Sequence, residues 1–285
     1  MSDVPQQQET ATEPRVTAIV ASYNNVEALR RCLAALEQSK QRDTLEIIVV
    51  DKGSRDGSQQ IDEEFPGITP LRLPRNFGST KALNIAMRTA RAELVFFVEP
   101  EVEVAPDTIV RLTNYLDSDS EAAVVCPVTG AEQFYRLPSS GIDLHPVEID
   151  MSAEAVPVES ANFTAMMVRK YFIRGLNYLD EKFGETWSDV DLCFQIRRAG
   201  RKIIALPGVK VKYTPRENHF PDSALTLLEA DRVHGAARFC SKYAGFFSGL
   251  GVPIKAAFSA LFSFRFGLLS AVVSGRKVDG TQTEL

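Results

Sequence analysis

The chain has 285 residues and a formal net charge of −5, long enough for one sizeable α/β body with an appendage and without the basic excess that a nucleic-acid binder needs. Its 45% hydrophobic and 24% charged residues exclude global disorder. Cys32, Cys126, Cys193 and Cys240 occur singly, with no close pair of the zinc or redox kind, so they read as buried free thiols of a reducing compartment.

Residues 1–14 are polar and acidic and read as a disordered lead-in with no signal peptide, which gives a cytoplasmic expectation. The β-branched run 16–21 predicts a buried strand that ends at Ser22, Tyr23 and Asn24. Val26, Leu29, Leu33 and Leu36 then recur at helical spacing, and 45–50 is a second apolar strand closing on Asp51. Strand, helix, strand implies a right-handed parallel crossover. After the turn 52–58 come a helix from about 59, a short strand at 71–73, a helix over 81–91 and a buried strand at 94–98. Glu99, Pro100 and Glu101 sit at the carboxyl end of that strand, where ligands of open α/β sheets bind. A helix over 107–116 and a strand at 122–126 follow, then a stretch at 129–157 of weak periodicity that reads as an excursion, partly a hairpin or lid. Beyond it are predicted a strand at 162–168, a short helix at 170–175, a helix capped by Ser188 and ending at Gly200, and strands at 202–206 and 209–213.

In order and spacing, the segments Val20-Ala-Ser-Tyr-Asn24, 49–58, Arg75-Asn-Phe-Gly78, Lys81-Ala-Leu-Asn84, Asp180-Glu-Lys-Phe183 and 188–200 resemble glycosyltransferase family 2, over roughly 16–213. The resemblance implies a GT-A fold, a mixed and mostly parallel sheet flanked by helices. It also implies transfer of a sugar from a nucleoside-diphosphate donor to a glycan or lipid-linked acceptor. On that basis residues 15–215 form the transferase domain and 216–285 a C-terminal helical extension. The matching positions make Asp189 the general base, and Ser22, Tyr23, Asn24, Asp51, Gly53, Ser54, Asn76, Gly78, Lys81 and Glu99 the donor site. Trp187 and Asp191 are implied on the acceptor side, with Glu101, helped by His219, on a divalent cation, Mg²⁺ or Mn²⁺. A carboxylate at a helix N-terminus is stabilised as the anion, which suits Asp189 to accept a proton.

Three positions depart from the family pattern. The acidic triplet reads Glu99-Pro100-Glu101, the acid that usually precedes the base is Ser188, and Tyr213 stands where a histidine is common. They motivate a rival reading, a non-catalytic relative that binds nucleotide or glycan or scaffolds an assembly complex. Finally, 256–275 is apolar but interrupted by Arg265 and several serines, which argues against a membrane span. Its phenylalanines and flanking cations suggest either a packing helix or a helix lying in the inner face of a membrane.

Overall fold

The computed structural model describes residues 13–130, 132–137, 144–216 and 220–281. Thus most of the expected lead-in, and His219, lie outside the described residues.

The body is an eight-stranded mixed sheet. Strands β1 (Val16–Ser22), β2 (Leu45–Asp51), β3 (Thr69–Arg72) and β4 (Leu94–Val98) run parallel in the order β3-β2-β1-β4. The ribbon β5 (Val102–Glu103) lies apart from them. Next come β6 (Ala122–Val128), the hairpin β7 (Phe134–Arg136) and β8 (His145–Pro146), β9 (Val156–Val158) and β10 (Ser160–Ala161). Strand β11 (Ala165–Arg169) inserts antiparallel between β4 and β6, β12 (Lys202–Lys210) returns parallel to β6, and β9 closes the edge. The last strand, β13 (Lys212–Tyr213), pairs with β5.

Successive strand residues serve opposite faces, as the pleat requires. Ala18, Val20, Ile47, Val49, Phe96 and Val98 pack against helices α1 (Val26–Glu37) and α4 (Thr108–Ser118), beyond the short α2 (Ile61–Glu64). Their neighbours Ile19, Ile48, Val50, Val95 and Phe97 pack against α3 (Ser79–Thr89), α5 (Lys170–Gly175) and α6 (Ser188–Arg198). A sheet covered on both faces explains why its strands read as continuous apolar runs. All four cysteines are buried and form no disulfide with one another, as their spacing indicates.

Three helices complete the chain: α7 (Asp222–Tyr243), α8 (Phe246–Phe262) and α9 (Phe266–Val273). Among the described residues, no helix is long and apolar enough to cross a membrane.

Three local expectations are corrected. The strand expected at 162–168 begins at Ala165, because 162–164 form a turn in which Asn162 Oδ1 accepts the Thr164 N–H at 3.2 Å. The two strands expected at 202–206 and 209–213 are largely one, since β12 absorbs Pro207 and Gly208 in a register shift. Ser188 is not a cap but the first residue of α6; the cap position is Trp187, without a capping side-chain hydrogen bond.

Phe96 is fully buried in the middle of the sheet. Phe96→Ala should cost about 3–5 kcal/mol, measured as a lower urea midpoint at unchanged denaturant slope.

Candidate active site

The carboxyl ends of β1 and β4, the turn after β2 and the segment before α6 meet at a cleft of about 1150 Å³. Tyr23, Asn76, Glu99, Glu101, Trp187 and Asp189 all line it. The structure therefore brings together the acids expected at the end of the fourth strand and the acid expected on α6.

Their electrostatics follow from crowding and poor hydration. Burial, reinforced by the neighbouring Glu101 charge, pushes the Glu99 carboxyl up to about 7. Burial likewise pushes Asp189 up to about 6, although its Oδ1 accepts the Val190 N–H at 2.8 Å at the start of α6. The sequence-based expectation that the helix end would favour the anion is thus outweighed by desolvation. The result is a stronger base that is still largely ionised at neutral pH. Glu101 Oε1 accepts a hydrogen bond from Asn25 Nδ2 at 2.6 Å, which aims it across the rim.

The remaining expected donor residues do not line the cleft; Asn24, Asp51, Gly53, Ser54 and Gly78 shape the turns at the strand ends, Ser22 closes β1 and Lys81 lies in α3. Asp51 is 4% exposed, and its Oδ1 accepts the Ser54 N–H at 3.0 Å. Asn24 Oδ1 accepts the Arg55 N–H at 2.7 Å, and the Asn24 N–H donates to Ser54 Oγ at 2.9 Å. Ser22 is buried at the end of β1. Gly53 and Gly78 have φ of +83° and +88°, and a Cβ on either would lie 2.7 Å from backbone atoms, of Arg75 and Val278 respectively. The Lys81 ammonium lies over the Phe77 ring, 4.5 Å from its centroid.

Asp191 is a correction. Instead of facing an acceptor, it is buried behind α6, where its carboxylate accepts from Lys242 Nζ at 2.8 and 2.9 Å, Tyr243 OH at 2.8 Å and Gln195 Nε2 at 2.8 Å. On a helix, a residue two positions from Asp189 points to another side. Trp187, expected on the acceptor side, is 4% exposed and packs on Phe239 with ring centroids 5.5 Å apart. Its φ of +74° is a strained value for an aromatic residue, held by that packing at the entry to α6.

Sequence reasoning missed the basic side of the cleft. Lys52, only 5% exposed, donates to Glu185 Oε1 at 2.5 Å and to Ser79 Oγ at 2.9 Å. Burial works against ionised Glu185, but the Lys52 ammonium and the Ser79 donors hold its carboxyl below the usual range. Arg216 donates to the carbonyls of Tyr23 and Asn24, both at 2.9 Å, and Arg232 of α7 lines the same space. Asn76 Nδ2 is buried with no hydrogen-bond partner among the described residues. Lys52 and Glu185 are 133 positions apart, and no local periodicity could announce their pairing.

The model of glycosyl transferase family 2 matches residues 17–174, more than half of the chain. The chain belongs to glycosyl transferase family 2. Within it, this transferase-family chain is 32% identical over 118 residues to an N-acetylglucosaminyltransferase of Mesorhizobium japonicum, covering 39% of this chain and 28% of the relative. It is 30% identical over 141 residues to an undecaprenyl-phosphate 4-deoxy-4-formamido-L-arabinose transferase of Pseudomonas fluorescens, covering 45% and 40%. The matches thus span well under half the length of these curated relatives. A mannosyltransferase of Pyrobaculum calidifontis, solved with GDP-Man and Mn²⁺, superposes with a TM-score of 0.59 at 16% identity over 92% of this chain and 86% of that one. At that identity the likeness speaks for the GT-A fold alone.

The buried Asp191 contacts give a test of its reassignment. Asp191→Ala should lower stability by about 2 kcal/mol, less than the roughly 3–5 of a fully buried pair because Lys242 keeps some solvent. The acceptor KM, measured in a transfer assay, should stay within about twofold. A stable variant with a tenfold higher acceptor KM would return Asp191 to the acceptor side.

Proposed function

We propose that this chain transfers a sugar from a nucleoside diphosphate to an acceptor hydroxyl, with inversion at the anomeric carbon, in polysaccharide or glycolipid assembly. The observation that carries the reading is Asp189, a carboxylate raised to about 6 in the same cleft as Glu99, Glu101 and Asn76, whose Nδ2 has no hydrogen-bond partner among the described residues.

The donor lies along the strand ends. Its nucleoside sits by Tyr23 and the turn that Asp51 orders, and its diphosphate reaches Asn76 Nδ2 and the cationic side of the cleft at Lys52 and Arg232. Amide and cationic donors match phosphate oxygens. The acceptor enters between Trp187, Arg232 and the α7 wall. Asp189 then takes the proton of the acceptor hydroxyl as that oxygen forms its bond to the anomeric carbon. The bond from the anomeric carbon to the diphosphate breaks, and its electron pair leaves with the diphosphate. One face is attacked while the opposite one is vacated, so configuration inverts.

A divalent cation is compatible with the residues present. No group of three or more metal-binding side chains occurs among the described residues. However, Glu99 and Glu101 bring two carboxylates close enough that the charge of one raises the pKa of the other. Mg²⁺ is commonly held by one or two carboxylates, with phosphate and water completing its shell. Glu101 and Glu99 would hold it, and the bound ion supplies neutralisation of the leaving diphosphate. The lengthened Glu99-Pro100-Glu101 acids keep this chemistry, since hard cations accept any carboxylate oxygen.

Asp189→Asn should lower transfer about 10²–10⁴-fold while nucleoside diphosphate binding persists. For the unaltered chain, kcat/KM should fall as pH drops through about 6: protonation below that value removes the base, and the carboxylate is regained above it. Nucleotide binding without turnover across donors and acceptors, with or without Mn²⁺, would support the non-catalytic reading instead.

A further inference from the structure

The helices after α7 invert the usual division between core and surface. Helix α8 buries its small or short side, with Gly249, Val252 and Ala260 against the protein. Gly249 allows this approach, because a Cβ there would lie 1.7 Å from Ser241 Oγ and 2.7 Å from the Ala237 carbonyl. The large apolar side chains face outward: Phe247 is 86% exposed, Phe258 58% and Phe262 78%, with Leu250, Ile254 and Leu261 between them. Phe264 and Phe266 continue the patch across the turn into α9. The outward residues fall three or four positions apart, so they form one continuous stripe. A helix seeking only a core would place these faces the other way round.

Charge selects the occupant. No aspartate or glutamate occurs between Asp231 and Asp279, and beside the stripe stand the exposed cations Lys255 and Arg276. A second copy of the chain would bring the same cations face to face. An anionic lipid surface complements them and accepts the aromatic stripe. At 17 and eight residues, α8 and α9 are too short to span a bilayer but fit along its interface.

The geometry points to the outer face of α8 and the α8–α9 turn as a docking surface for anionic phospholipid bilayers. The same helix α7 that α8 and α9 pack against gives Leu225, Leu228, Glu229 and Arg232 to the cleft. Arg265, in the α8–α9 turn, donates to Glu229 at 2.8 Å. The lipid surface and the cleft are therefore two sides of one helix, which suits an acceptor whose lipid end stays in the bilayer. Docking itself stands whether or not the cleft transfers sugar.

The test is flotation of the full chain with phosphatidylcholine vesicles, with and without phosphatidylglycerol. The chain should float with the anionic vesicles, and combined Phe247→Ser, Phe258→Ser and Phe262→Ser should lower the floated fraction at least about tenfold at an unchanged thermal midpoint. Should that variant misfold, Lys255→Glu with Arg276→Glu provides the second reading: it should lose the preference for anionic vesicles. Any of three results overturns the proposal. These are a full chain that stays at the bottom of both gradients, folded variants that float like the parent, and a dimer in vesicle-free sedimentation that the serine variant dissociates.

Discussion

The segment that brings Glu185, Trp187 and Asp189 to the cleft is fixed by a carboxylate that does not line it. Asp231 of α7 is 1% exposed and accepts hydrogen bonds from the Glu185 N–H at 3.0 Å, from the Thr186 N–H and hydroxyl at 3.1 Å, and from the Val278 N–H at 3.0 Å. Burial still raises its pKa, so four donors only partly offset the loss of water. The segment thus fixed carries Glu185, Trp187 and Asp189 in succession. Gly184 is required beside it, because a Cβ would lie 2.0 Å from Asp231 Oδ1. A single buried acid on α7 consequently sets the position of Asp189 and of Glu185, the partner of Lys52.

This arrangement explains how two halves of the sequence make one site. The first half supplies strand ends whose position follows from sheet register: Ser22 lies beside Asp51, and Glu99 follows the last residue of β4. The second half supplies Glu185 and Asp189 from a segment with no sheet to fix it. Packing takes over that task. Gly235 leaves α7 bare where a Cβ would meet the Trp187 ring at 2.6 Å, and Phe239 covers the ring from one side. The left-handed backbone of Trp187 is the local cost of turning the chain into α6 at that point.

The parts of the fold legible in the sequence are those governed by period and by strand ends. The runs at β1, β2 and β4 and the helical spacing of Leu29, Leu33 and Leu36 describe burial that local sequence specifies. Asp189, Glu99 and Glu101 were legible as acids in place, whereas their pKa values were not, because desolvation depends on walls drawn from distant segments. Lys52 looked like an ordinary turn residue until Glu185 met it. Asp191 misled for the complementary reason: an acid two positions from Asp189 in sequence is on another side of the helix in space. Pro207 and Gly208 read as a strand break, yet the sheet accommodates them as an irregularity in a continuous strand.

Helices α7 and α8 differ in how many of their sides are covered. Helix α7 buries residues on every side, Ala224, Leu227, Ala230, Asp231 and Phe239 among them, because the cleft segment meets it on one flank and α8 and α9 on the other. That explains its weak amphipathicity in sequence: a helix contacted all round has no face to distinguish. Helix α8 is contacted on one side only, and it is the small side that is contacted, so its large apolar side chains must find another environment or remain in water at a cost of about 25 cal/mol per Å². Lys242 and Tyr243, which grip Asp191 on α6, lie at the last turn of α7 immediately before α8 begins. Whatever holds the outer face of α8 therefore bears on the same short stretch of chain that anchors α6, and through it on Asp189.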